Sequence, residues 1–178
     1  MSIYVRIDGG YWVIIIGFDP GIAIVGFGVI EKQGNQIRPM QYGSIQTKAE
    51  LETGIRLKQI YDAAKEIINL YKPDAISIEK LYFNKNVTTA MTVGQARGIL
   101  MLAAVEAGQP IFEYTPLQIK QALVGYGRAE KKQIQEMVKL YLNLKEIPKP
   151  DDVADALAIA ICHAHSAKMN NFIKENLK

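Results

Sequence analysis

Residues 13–30 read VIIIGFDPGIAIVGFGVI. The largely β-branched run from Val13 to Phe18 predicts a buried strand. A turn over Gly21–Ile24 and a second strand over Val25–Glu31 follow. One residue does not suit so apolar a strand. Asp19 ends it with a carboxylate, and a charge is costly to bury unless it is paired or holds a metal.

The rest of the chain extends this opening. "EKQGNQI" carries a hairpin signal at Gly34 and Asn35, and "IRPMQYGSIQT" predicts a third strand, pushed toward the sheet edge by Pro39. The period then changes. Leu57, Ile60, Tyr61, Ala64, Ile67, Ile68 and Tyr71 recur at helical spacing up to Pro73. "DAISIEKLYF" (74–83) predicts a fourth strand. A helix capped by Thr88 or Thr89 runs to about Ala107 and stops at Gly108 and Pro110. "IFEYT" is a fifth strand, and Pro116 opens the helix "PLQIKQAL". "AEKKQIQEMVKLYLNL" is amphipathic. After "KEIPKP", Asp151 or Asp152 caps a last helix, "DDVADALAIAICHAHSAK". Strands that first meander and then alternate with helices predict an α/β fold. Its sheet is five-stranded and mixed, with the first three strands antiparallel and helices on both faces. The expected boundaries are an N-terminal extension (1–12), one domain (13–168) and a C-terminal tail (169–178) that frays.

Composition narrows the class. The 178 residues are 49% hydrophobic and 22% charged, as in ordinary globular proteins, and carry a net charge of +3. A mildly basic balance suits an anionic partner only if the basic residues cluster. The single cysteine, Cys162, reads as a small buried hydrophobe and excludes an intrachain disulfide. No run approaches the roughly 20 apolar residues of a membrane span, and the N-terminus has no signal-peptide pattern. The expectation is a cytoplasmic protein without a membrane partner.

Four acids stand out by position: Asp19, Glu79 in the strand "ISIEK", and Asp152 and Asp155, which share a face at the start of the last helix. The helix pair has an ordinary explanation, because acids suit the positive end of the dipole. If the first and fourth strands are neighbours, however, Asp19 and Glu79 lie side by side and the last helix brings the other two over them. Like charges about 4 Å apart repel by about 4 kcal/mol at an effective dielectric near 20. Such a cluster needs cations or protons. An oxygen-only donor set, with no His or Cys at ligand spacing, points to Mg²⁺ or Mn²⁺, and two such ions make a clamp for phosphoryl transfer. His163 and His165 read as packing or surface residues.

"GFDPG", "SIEKLYF", "GQARGILMLAAVEAGQPIFEYTPLQIKQALVGYGRAEKKQIQEMV" and "DDVADALAIAICHAH" resemble, in order and spacing, the RuvC family of Holliday-junction resolvases. That family has a ribonuclease H-like fold. The resemblance covers nearly all the chain after residue 13. It implies a divalent-metal-dependent endodeoxyribonuclease acting as a homodimer on a four-way DNA junction. Paired symmetric hydrolysis would leave ligatable 5′-phosphate and 3′-hydroxyl nicks. The branch-migration motor RuvAB is the implied partner. The implied catalytic residues and metal ligands are Asp19, Glu79, Asp152 and Asp155, with Mg²⁺ (Mn²⁺ substituting) and up to two ions per site. Tyr82 or Phe83 occupies the place of an aromatic that contacts unpaired bases; the same rings could close the core instead. Lys120 and Lys131 match basic positions near the cleaved DNA. Lys80, Lys85, Arg97, Arg128 and Lys132 are further candidates for the DNA path or for a solvated face, and "GYGR" allows close backbone approach to phosphate. The segment "MSIYVRIDGGYW" precedes the usual family start.

Three other readings share some of these features. "GFDPGIAIVG" also resembles the phosphate-cradling opening of actin-like and sugar-kinase ATPases, but those need two lobes. A ribonuclease H-like nuclease for another nucleic acid shares the acids. A non-catalytic junction-binding module would have no need of all four.

Overall fold

A computed structural model of the chain describes residues 12–81 and 87–176; for 87–89 and 167–176 it describes the backbone alone. Tyr82, Phe83 and Lys85, and residues 1–11 of the expected extension, lie outside the described residues.

The opening stretch forms β1 (Val13–Asp19) and β2 (Ile24–Gln33), and β3 (Gln36–Gln46) follows after a two-residue turn. Gly34 takes a left-handed φ of 59° there, a conformation glycine adopts without steric cost. Then come α1 (Thr53–Tyr71), β4 (Ala75–Glu79), α2 (Val87–Glu106), β5 (Ile111–Tyr114), α3 (Pro116–Val124), α4 (Lys131–Tyr141) and α5 (Asp151–Asn176). The sheet order is β3-β2-β1-β4-β5, with β1–β2 and β2–β3 antiparallel and β1–β4 and β4–β5 parallel. This is the expected five-stranded mixed sheet. Pro39 does lie on the edge strand, opposite Ile30, beside a register shift between Val29 and Ile30. Among the described residues no helix is long and apolar enough to cross a membrane.

Local chemistry sets the boundaries. Lys72 closes α1 in a left-handed conformation, its N–H donating to the Ile68 carbonyl at 2.8 Å, before Pro73. Thr115 caps α3 in a capping box with Gln118, and Pro116 takes the first helical position. Asp74 fixes the start of the parallel β1–β4 pairing, since its carboxylate accepts from the Ile14 N–H at 2.8 Å. Two expected caps differ. Thr88 and Thr89 lie inside α2, and Asp151 and Asp152 lie inside the first turn of α5, after Pro150. Acids in a first turn still complement the dipole without serving as the cap. The helix α5 also continues to Asn176, through most of the stretch read as a tail.

Strand alternation divides the core in two. Ile16, Phe18, Val25, Val29, Ile76 and Ile78 pack against Ile60, Ala64 and Ile68 of α1 and Ala96, Leu100 and Ala103 of α2. On the other face Ile15, Ile30 and Ala75 meet α3, α4 and the long buried run of α5. That second face is lined by unusually small residues. Gly17 lies opposite Gly28, and Gly26 lies opposite Asp19. A Cβ on Gly17 would stand 2.2 Å from the Ala156 carbonyl oxygen, and one on Gly26 would stand 1.9 Å from that of Asp152. On Gly28 it would meet the Leu157 side chain at 2.5 Å. Ser77, fully buried, donates to the Ile16 carbonyl at 3.1 Å and lies 3.4 Å from that of Ile159. Alanines of α5 complete the contact: Ala154, Ala156, Ala158 and Ala160 are all buried. The helix therefore lies directly on the strand backbones.

The polar groups further along α5 serve packing. His163 is 4% exposed, stacks on Phe112 and shares a 2.7 Å hydrogen bond between Nδ1 and the Tyr114 hydroxyl. His165 Nδ1 lies 3.0 Å from the Ala122 carbonyl. Cys162 is buried, and burial pushes its thiol up to about 12.

Two measurements check this account. Gly17→Ala forces a methyl group into the α5 backbone. It should destabilise the fold by about 3 kcal/mol, lowering the thermal midpoint by roughly 6–12 °C. Burial, with Lys32 contributing, lowers the His163 imidazole to about 4 from the ordinary 6.5. The folded state keeps it neutral, whereas the unfolded chain takes up a proton near 6.5. The stability linked to this group is thus complete above that pH and drains away as pH falls toward 4, by up to about 3 kcal/mol. His163→Gln should flatten the pH dependence of denaturant unfolding across that interval.

Candidate active site

Parallel pairing brings the carboxy-terminal ends of β1 and β4 to the same edge, the usual place for a site in such sheets. Their register runs to Phe18 opposite Ile78, so Asp19 and Glu79 are the next residues on neighbouring strands. Both belong to the α5 face, because they follow Gly17 and Ser77 at a spacing of two. Gly26, paired with Asp19, is where the Asp152 carbonyl presses on the sheet. The missing side chain at Gly26 therefore delivers the first turn of α5 to Asp19. Asp155, three residues on, shares with Glu79 a cavity of about 200 Å³ that also meets Pro116, Lys120, Lys131 and Ile159. A second cavity of about 250 Å³ joins Asp19, Pro20, Glu79, Lys80 and Leu81. Glu79 stands between the two.

The electrostatics follow from this crowding. Burial pushes the Asp19 carboxyl up to about 8, reinforced by the charges of Asp155, Glu79 and Asp152 and opposed by Lys131. Glu79 is raised by burial and then by Asp155, and Asp155 by burial, with Lys131 opposing both. The four predicted acids thus act on one another, although they come from three separate parts of the chain. Among the described residues no three of them close into a preformed ligand cage. The positive charge within the cluster is the Lys131 ammonium, 2.9 Å from Asp155 Oδ2 and 3.5 Å from Asp151 Oδ2. Burial pulls Lys131 down, but its bonds and charge interactions with Asp155 and Asp151 outweigh it and leave the amine raised. The Lys149 ammonium, 2.8 Å away, holds Asp151 below the ordinary carboxylate range.

Carboxylates alone, partly buried and mutually repelling, make a donor set suited to hard divalent cations. Acids kept in such surroundings cost stability, and perturbed acids of this kind in a cavity mark a candidate site.

The basic candidates separate by position. Lys120 borders the acid cavity, and Lys131 is inside the cluster. Arg128 and Lys132 are exposed and line, with Tyr126, a groove of about 620 Å³ along α4. Arg97, a candidate for the DNA path or a solvated face, has protein partners instead. It is ion-paired with Glu113, and its Nε donates to the Glu79 carbonyl at 3.2 Å. Sequence reasoning missed that tie, the pairing of Asp151 with two lysines, and the part played by Gly26. Only the last had a legible signal, glycines at every second position facing a helix rich in alanine.

The family model described as crossover junction endodeoxyribonuclease RuvC matches residues 15–163. A Brevibacillus brevis protein named Crossover junction endodeoxyribonuclease RuvC is 68% identical over 150 residues, covering 84% of this chain and 90% of its own. One of the same name from Alkaliphilus metalliredigens is 56% identical over 161 residues, covering 90% and 98%. The solved structure of Thermus thermophilus RuvC in complex with Holliday junction substrate superposes with a TM-score of 0.85 at 37% identity, covering 89% of this chain and 96% of that one. The yeast mitochondrial Holliday junction resolvase shares the fold, with a TM-score of 0.62 at 14% identity.

The raised Asp19 carboxyl has a measurable cost. The folded state retains its proton up to about 8, whereas the unfolded chain releases it near 3.8. Between those values the folded state holds more protons, so stability linked to Asp19 falls as pH rises. Asp19→Asn should therefore be more stable than the parent in chelator, by about 1–3 kcal/mol at pH 8, with little difference near pH 4. Paired denaturant titrations at the two pH values check it.

Proposed function

Because the chain belongs to the RuvC family of crossover junction endodeoxyribonucleases, we propose that it cuts four-way DNA junctions with the carboxylates of Asp19, Glu79, Asp152 and Asp155. The observation that carries this reading is geometric: Asp19, Glu79 and Asp155 line two cavities that share Glu79, and Asp152, whose carbonyl abuts Gly26 beside Asp19, adds its charge to theirs. Their oxygens would hold Mg²⁺, or Mn²⁺ in its place, as up to two ions per site. Such ions, when bound, neutralise a phosphodiester and supply an activated water.

This chain's own residues supply the rest. The ends of β1 and β4 fix two carboxylates, and the first two turns of α5 bring Asp152 and Asp155 toward them. Lys131, already drawn between Asp155 and Asp151, offers an ammonium that can turn to a phosphate once cations satisfy the acids. Lys120 sits on the same cavity wall. Arg128 and Lys132, and beyond the described residues Lys85, extend the positive path for DNA backbone. Tyr82 or Phe83 follows Glu79 closely enough in sequence to stack on a base at the junction centre. Two copies of the chain, as a homodimer, would nick strands of like polarity and leave 5′-phosphate and 3′-hydroxyl ends for ligation. Junctions moved by RuvAB are the natural source of substrate, and bacterial DNA puts this work in the cytoplasm.

A mobile synthetic four-way junction tests the proposal. With Mg²⁺ the protein should introduce symmetric nicks, and with chelator none. Asp19→Asn and Glu79→Gln should slow cutting by at least about a hundredfold, more than loss of an outer partner of a metal ligand usually costs, while junction affinity is kept. Cutting in chelator would exclude the metal mechanism. Binding without cutting under every divalent condition would favour a non-catalytic junction module. Faster cleavage of an RNA–DNA hybrid than of the junction would favour a nuclease for another nucleic acid.

A further inference from the structure

The acid cluster does not itself explain how Glu79 is held. Glu79 is the last residue of β4, and the pairing of β4 with β1 runs only to Ile78 opposite Phe18. On the other side the ladder with β5 continues, with Glu79 opposite Tyr114 and the Lys80 N–H donating to the Tyr114 carbonyl at 2.8 Å. The backbone is therefore secured toward β5. The Glu79 carbonyl instead receives the Arg97 Nε–H, from α2, at 3.2 Å. The same guanidinium is ion-paired through its terminal nitrogen with Glu113 of β5, one residue before Tyr114. Both partners are substantially covered, with side-chain exposures of 18% for Arg97 and 32% for Glu113. One planar fork thus binds the end of β4, the end of β5 and the side of α2.

We propose that Arg97 is a positioning residue: it fixes the backbone of Glu79, and so aims that carboxylate into the metal cleft, without touching DNA or metal. A guanidinium suits this task because it is always charged and its donors are rigidly arranged. Glu113 matters equally. It neutralises the arginine, so that α2 presents a tether rather than a second cation competing with metal for the Glu79 carboxylate. The inference rests on the reading of Glu79 as a metal ligand.

Manganese binding to the full-length protein without DNA, measured by calorimetry or by the electron paramagnetic resonance signal of the ion, tests it. Arg97→Gln should weaken Mn²⁺ binding by about 10–100-fold, as outer partners of metal ligands usually do. Arg97→Lys can keep one of the two bonds and should fall between. Junction affinity in chelator, and its dependence on salt, should stay at the parental value in both. Glu79→Gln serves as the control. If Glu79→Gln weakens Mn²⁺ binding and Arg97→Gln does not, the positioning role is overturned and the ligand reading stands. If Glu79→Gln leaves Mn²⁺ binding unchanged, the ligand reading falls and this inference falls with it. Reduced junction affinity with a shallower salt slope would make Arg97 a DNA contact and overturn the proposal too. Should Arg97→Gln not fold, the same measurements on Arg97→Lys decide between these outcomes.

Discussion

The contact between the backbone of α5 and the glycines of β1 and β2 is the constraint on which the rest of the molecule depends. A helix normally rests on a sheet through a layer of interlocking side chains. Here Gly17, Gly26 and Gly28 remove that spacer, and the carbonyls of Asp152 and Ala156 sit where methyl groups would otherwise be. The placing of the two helix acids follows. Asp152 reaches Asp19 because Gly26 is its strand neighbour, and Asp155 reaches the cavity bordered by Glu79 because the helix continues over β4.

This closeness also sets the electrical character of the cleft. Four acids pressed into a partly buried edge repel, and the fold tolerates them with protonation, with Lys131 and with the positive end of α5. The asymmetry among them has a structural origin. Asp151 stands on the outer side of the same turn, where Lys149 satisfies it, and is held low. Asp19 stands at the inner end of β1, where burial dominates, and is held high. Acids of one chemical type thus differ by position: Asp151 is ion-paired at the surface, whereas Asp19 is buried among other carboxylates.

Much of this is legible in the amino-acid sequence. Period-two and period-3.6 patterns carry the strand and helix order, Pro39 marks the edge strand, and the four acids form one group in sequence only on the condition that β1 and β4 are neighbours, which the register supplies. What escaped was information carried by three-dimensional proximity. Arg97 lies 18 positions from Glu79, and nothing in its neighbours signals that it faces the end of β4. Asp151 reads like any first-turn acid until the positions of Lys131 and Lys149 are known. The starts of α2 and α5 differ from the sequence reading by a few residues, since an acid suits both a cap and the first turn inside it and tertiary packing overrides the cap preference of threonine. Gly17, Gly26 and Gly28 are visible in the sequence, but a gap for a helix and a gap for a turn look alike there.

The glycine track has one more implication. Most protein sites can be adjusted gradually, because neighbouring side chains can be exchanged for slightly larger or smaller ones until a distance suits. Where backbone rests on backbone there is no such dial. At Gly26 the next smallest residue overshoots by more than an ångström, so the separation between the strand acid and the helix acids is quantised. An engineer wishing to widen this cleft would have to move the entire helix, carrying its alanine ridge and the buried core behind it.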